Sequence, residues 1–136
     1  MNDKLSLFDN IGTASVAKIM HTQVITVKPN YSIKTTIEAF IVHKISCAPV
    51  TSDDNKIMGI ITEHDLLIQA ASRPMIKNIE YNTKVTAISI ETTIKEALVL
   101  FFTKKLKHAP VLDKNHFIVG IVSRIDLLNY LAENAS

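Results

Sequence analysis

"GIITEHDL" occupies residues 59–66, and "GIVSRIDL" occupies residues 120–127, sixty-one positions later. Each copy has a glycine, apolar residues, a hydroxyl, two variable positions, an aspartate and a leucine. The pattern is either a structural joint used twice or a binding site written twice. Working outward, the same offset holds without a gap. Val24 aligns with Val85, Val27 with Ile88, Phe40 with Phe101 and Lys44 with Lys105. "APV" at 48–50 aligns with "APV" at 109–111. The chain has three glycines and four prolines, and two of each are matched pairs. Recurrence of the residues that most restrict or free the backbone marks one supersecondary unit built twice.

Each copy reads as β-α-β-β-α. "VITV" (24–27) and "VTAI" (85–88) are rich in β-branched residues and predict short strands. Ser32 and Thr93 are suited to cap the helices that follow. Ile33, Ile37, Phe40, Ile41 and Ile45 have helical spacing, as do Ile94, Leu98, Phe101, Phe102 and Leu106. Pro49 and Pro110 cannot continue those helices and begin extended segments. The polar turns "SDDNK" and "DKNH" then lead into second apolar strands, as in a hairpin. Gly59 and Gly120 are expected to let that hairpin turn tightly. Apolar helix faces begin at Leu66 and Leu127. The predicted organisation is a lead-in with a short helix near Ser15 (1–22), a first repeat (23–73), a connector (74–84) and a second repeat (85–136). The fold class is α/β (α+β), with two tandem β-α-β-β-α repeats.

The totals exclude several classes. In 136 residues, 15 basic and 13 acidic side chains give a net charge of +2, which argues neither for nor against nucleic acid, and no nucleic-acid partner is expected. The longest fully apolar run is Ala97 to Phe102, far short of the about 20 residues a membrane helix needs. No secretory signal is visible at the N-terminus, so the expected localisation is cytoplasmic. Cys47 is the only cysteine, which excludes an internal disulfide and predicts a small buried filler. The five histidines form no H-x-x-x-H pair, so no metal site is expected. No nucleophile elbow, P-loop or H-E-x-x-H motif is present, and near-symmetric aspartates do not supply an acid and a base of different character. A non-enzyme is expected.

The order of these motifs, met twice in register over roughly residues 13–134, resembles the CBS domain, named after cystathionine β-synthase. The tandem arrangement resembles a stand-alone CBS pair, or Bateman module. The resemblance implies a two-layer regulatory module with pseudo-twofold symmetry that takes an adenine nucleotide or S-adenosylmethionine in the cleft between its repeats. It implies no permanent cofactor. Carried over by position, Asp65 and Asp126 would hold ribose, and Thr62 and Ser123 would face phosphate. Val24, Thr26, Val85, Ala87, Ala48, Pro49, Ala109 and Pro110 would wall the adenine, with His108 beside them.

The same atoms also support a structural role. Thr62-x-x-Asp65 and Ser123-x-x-Asp126 stand directly before apolar helices and resemble capping boxes. The acid would also favour the positive end of the helix dipole. The two copies differ in charge. Arg124 can grip phosphate bidentately, whereas Glu63 would repel it. The second copy is therefore expected to be the better phosphate site. "KKLKH" (104–108) is expected to be a solvated helix end. "ALVLFF" (97–102) is apolar all round, and Ala39 and Val42 give the first helix a second apolar face. Such helices predict a homodimer. An unidentified protein partner in trans completes the regulatory reading. The alternative is a structural dimeric interaction module with no nucleotide.

Overall fold

The sixty-one-residue offset seen in the sequence is reproduced in the backbone of a computed structural model, which describes residues 11–72 and 77–134. Helix α1 (Ile33–His43) has its equivalent in α3 (Ile94–Lys104). Strands β1 (Cys47–Thr51) and β2 (Ile57–Thr62) have theirs in β4 (His108–Leu112) and β5 (Ile118–Ser123). Helix α2 (Glu63–Ser72) corresponds to α4 (Arg124–Asn134), and the two-residue strand β3 (Ile88–Ser89) precedes α3. The non-glycine residues with left-handed backbone also come in pairs. Lys44 and Lys105 have φ of 54° and 53°, and Asn55 and His116 have φ of 62° and 68°. The lysines end α1 and α3, and the other pair sits in the polar turns of the two hairpins.

Ser32 and Thr93 cap their helices as expected. The Ser32 hydroxyl accepts from the Thr35 amide at 3.0 Å. Thr93 accepts from the Glu96 amide at 3.1 Å, and the Glu96 carboxylate takes the Thr93 amide at 2.9 Å. That reciprocal pair is a full capping box, and its hydrogen bonds hold the Glu96 carboxyl below the usual carboxylate range. The lead-in helix is shorter than expected, a single 3-10 turn at Val16–Lys18 capped by Ser15. Residues 1–10 of the expected lead-in and 74–76 of the expected connector lie outside the described residues.

The expected strands at 24–27 and 85–88 are much shorter than their composition suggested. In the first, only Val27 pairs, in a parallel bridge to Val50. In the second, Ile88 and Ser89 pair in parallel with Val111 and Leu112. β-branched composition marks an extended segment, but pairing also needs a neighbour with free donors and acceptors. Val27 finds one on the open side of β1, through Pro49 O at 3.0 Å and the Thr51 amide at 2.9 Å. The β1–β2 hairpin is antiparallel, with Val50 opposite Gly59 and Ala48 opposite Ile61.

The two glycines correct the sequence expectation. They lie within β2 and β5, not in the turns. A Cβ on Gly59 would collide with the Tyr81 ring and come within 2.5 Å of Asn82 O. One on Gly120 would come within 2.5 Å of Met20 Sδ and 3.1 Å of His21 O. Glycine is needed there because another segment crosses the strand at close range.

The chain forms two compact units. One gathers the described residues of 1–23, 86–115 and 119–136, and the other those of 24–85 and 116–118. Six of the seven buried core residues of the 24–85 unit have an equivalent in the core of the other: Val27/Ile88, Phe40/Phe101, Ala48/Ala109, Val50/Val111, Ile61/Val122 and Leu66/Leu127. Each core is closed by a segment that precedes a repeat. Ile79 closes the core of the 24–85 unit, and Ile11 and Val16 close the other. Ile41 and Phe102, counted in the helical apolar pattern, are 70% and 84% exposed. The helix turns about 100° per residue, so with Phe40 and Phe101 pointing to the sheet, the next side chain points away.

Candidate functional site

In both units a strand runs straight into a helix, and the repeated motif forms the joint. At the first joint, Thr62 Oγ1 accepts from the Asp65 amide at 3.2 Å, and Asp65 Oδ2 accepts from the Thr62 amide at 2.9 Å. At the second, Ser123 Oγ accepts from the Asp126 amide at 3.4 Å, and Asp126 Oδ2 accepts from the Ser123 amide at 2.8 Å. Both are reciprocal capping boxes. The first helical amides are used as well, since Glu63 donates to Ser46 O at 2.9 Å and Arg124 to Lys107 O at 3.1 Å. Helix amides that would otherwise meet an anion are thus largely taken by the chain itself.

The two aspartates differ in what else they hold. Asp65 is half-buried, and among the described residues its Oδ1 has no hydrogen-bond partner. Asp126 has both oxygens engaged, because His21 Nε2 lies 2.8 Å from Oδ1. His21 was not expected here. It is held by a two-way backbone bridge to Ile121, with amide-to-carbonyl distances of 2.9 and 3.0 Å. The equivalent bridge in the other unit joins Asn82 to Ile60. The Asn82 side chain turns back to the Lys84 amide at 2.9 Å. The connector is fixed further by buried Gln69, whose amide both donates to Glu80 O at 2.8 Å and accepts from the Glu80 amide at 2.9 Å.

The phosphate candidates are placed less simply. Arg124 is exposed, and its guanidinium donates from Nε to Leu106 O at 2.6 Å and from Nη2 to Lys105 O at 3.3 Å. It therefore satisfies the carbonyls at and just past the cap residue that ends α3. His108 opens β4 and is half-buried. Burial of its ring holds it below the usual histidine pKa. The Asp126 charge opposes that shift, and Lys107 and Arg124 add to it. The second joint thus gathers Asp126, Arg124, Lys107, His108 and His21 in one unit. Among the adenine-wall candidates, Ala48, Pro49, Ala109 and Pro110 are fully buried in their strands. Val24, Thr26, Val85 and Ala87 are half-buried and present surface. Among the described residues no group of three His, Cys, Asp or Glu side chains is placed to hold a metal ion, and no helix is long and apolar enough to cross a membrane.

An α-β-β-α motif repeated in register, with a hydroxyl–aspartate joint in each copy, defines a class of tandem α/β module. A family model described as CBS domain matches residues 16–71 and again 76–133. The chain belongs to the CBS domain family. An uncharacterized 17.7 kDa protein from Acidianus ambivalens is 32% identical over 120 residues, covering 87% of this chain and 73% of that one. The inosine-5'-monophosphate dehydrogenase of Aquifex aeolicus is 30% identical over 109 residues, which are 76% of this chain but 22% of the enzyme. Among solved structures, CBSX2 of Arabidopsis thaliana in complex with AMP matches with a TM-score of 0.77 at 20% identity, over 88% of this chain and 97% of that one. The CBS domain pair of protein MJ0100, in complex with 5'-methylthioadenosine and S-adenosyl-L-methionine, matches with a TM-score of 0.79 at 22% identity, over 89% and 98%. At these identities the two structures establish the fold.

Proposed function

We propose that the chain is a regulatory module that binds an adenine-containing nucleotide or a related ligand at its hydroxyl–aspartate joints and thereby alters a protein partner. The observation that carries this reading is the half-buried Asp65 carboxylate, with one oxygen fixed by the Thr62 amide and the other without a partner among the described residues. An oriented carboxylate with a free oxygen is suited to a ribose diol, as acidic residues are in dinucleotide-binding folds. Thr62 and Ser123 stand beside the two aspartates and would face the phosphates. In each repeat the adenine would lie on the extended segment before the first helix, Val24 and Thr26 in one and Val85 and Ala87 in the other. The complexes of CBSX2 with AMP and of MJ0100 with 5'-methylthioadenosine and S-adenosyl-L-methionine support the same ligand class. Binding would act on the partner by favouring one of two arrangements of the module.

A second reading has its own observation. The hydroxyls and one oxygen of each aspartate also serve the helix they open, so capping alone accounts for most of the motif. In that reading the chain is a dimeric interaction module without a nucleotide. Either way, a homodimer is the proposed state. Ile41, Val42, Leu67 and Ile68 are exposed on α1 and α2, and Val99, Phe102, Ile125 and Leu128 on α3 and α4. Paired apolar faces of this kind suit a second copy presenting the same faces.

Calorimetric titration with AMP, ATP and S-adenosylmethionine separates the two readings. Binding that Asp65→Ala weakens in a folded protein supports sensing. No binding, with the aspartate variants merely less stable, supports the interaction module.

A further inference from the structure

The two joints share a backbone but differ in one side chain. His21 and Asn82 are equivalent positions, and each bridges the strand opposite it through the same pair of backbone hydrogen bonds. Asn82 accepts from the Lys84 amide at 2.9 Å, and among the described residues Asp65 Oδ1 has no partner. His21 reaches across and takes Asp126 Oδ1 at 2.8 Å. The imidazole is 66% exposed, while the aspartate side chain beneath it is 8% exposed. A largely exposed side chain therefore lies over a buried carboxylate. Arg124, Lys107 and His108 lie near, but none is hydrogen-bonded to Asp126 through its side chain, and Arg124 is held by Leu106 O and Lys105 O.

We infer that His21 is an internal occupant of the second-repeat site and sets its affinity. A ribose diol must displace the imidazole from Asp126, whereas Asp65 receives it directly. The two repeats of one chain thus carry an open site and a covered one. The inference rests on the ligand reading above. It also reverses the order that Arg124 alone suggested, because the first-repeat site binds more tightly.

The test is calorimetric titration of the full chain with AMP, ATP and S-adenosylmethionine. His21→Asn copies the residue at position 82 and is expected to strengthen the weaker site by about fivefold, the worth of one hydrogen bond from an exposed imidazole. Asn82→His is the converse and is expected to weaken the stronger site by a similar factor. It keeps the inference testable if His21→Asn does not fold. His21→Asn is expected to give no gain in an Asp126→Ala background. In the native protein the His21 side-chain nitrogen resonances should shift at saturation. Binding that Asp126→Ala weakens but His21→Asn leaves unchanged or reduces overturns the inference alone. No binding of any of the three ligands to the native chain or its variants overturns the ligand reading, and this inference with it.

Discussion

Gly59→Ala tests the packing that positions the first joint. The new methyl would meet the Tyr81 ring, with Cε2 at 2.9 Å, and Asn82 O at 2.5 Å. Real Cβ atoms essentially never approach other atoms closer than 3.0 Å, so the Asn82 carbonyl must retreat by about half an ångström. That carbonyl receives the Ile60 amide at 2.9 Å, and the Asn82 amide returns a bond to Ile60 O at 3.0 Å. The retreat strains two hydrogen bonds as well as the packing. Overpacking of this kind costs about 1–3 kcal/mol. The smaller entropy of the unfolded alanine chain offsets about 0.4–1 kcal/mol of it. These two terms leave a net loss of about 0–2.6 kcal/mol, centred a little above about 1 kcal/mol. Gly120→Ala is the control. Its closest neighbours are Met20 Sδ and Cγ, the far end of a flexible side chain, and the nearest backbone atom is His21 O at 3.1 Å. Its cost should stay below about 1 kcal/mol. Urea unfolding followed by circular dichroism measures both. Equal stabilities, or a larger loss in Gly120→Ala, would refute the argument that a rigid backbone contact fixes the first joint.

Other outcomes follow from single residues. His108 is held below the usual histidine value by burial. Below about pH 6.5 the unfolded chain therefore takes up the proton first, and stability falls with pH until the folded ring is protonated too. His108→Gln should flatten that part of the acid limb in urea midpoints measured from pH 7 to 4. Burial pushes the Cys47 thiol up to about 11. The native protein should resist a thiolate-directed reagent at pH 8 and react once unfolded in urea. Thr93→Ala removes a reciprocal cap and should cost about 1 kcal/mol. Ser32→Ala should cost less in the same unfolding assay, because Thr35 stands where Glu96 completes the box.

The repeat was legible because it is carried by residues with few substitutes. The paired glycines, prolines, cap hydroxyls and aspartates lie in register and are enough to order the elements. The length of the first strand in each copy was not legible, because Val24–Thr26 have strand composition but no partner along β1. The outward turn of Ile41 and Phe102 depends on which neighbouring residue meets the sheet, and an all-apolar helix hides that choice. The glycines were misplaced for the same reason His21 was missed. Both depend on the segment before one repeat crossing a strand of the other. Linear spacing aligns His21 with Asn82 but does not bring either near Gly120 or Gly59. The family resemblance pointed to the two joints, and the structure then separated them, because only Asp126 is covered.

The central claim is that a half-buried carboxylate, Asp65, accepts hydrogen bonds from a ribose diol. The most direct measurement is calorimetric comparison of AMP with its 2',3'-dideoxy analogue, on the native chain and on Asp65→Ala. The account predicts that removing the two hydroxyls weakens binding by about tenfold or more, as expected for hydrogen bonds to a charged group. It also predicts that Asp65→Ala loses that discrimination at the tighter site. Equal affinity of the native protein for the two ligands, or discrimination that survives in a folded Asp65→Ala protein, would contradict it.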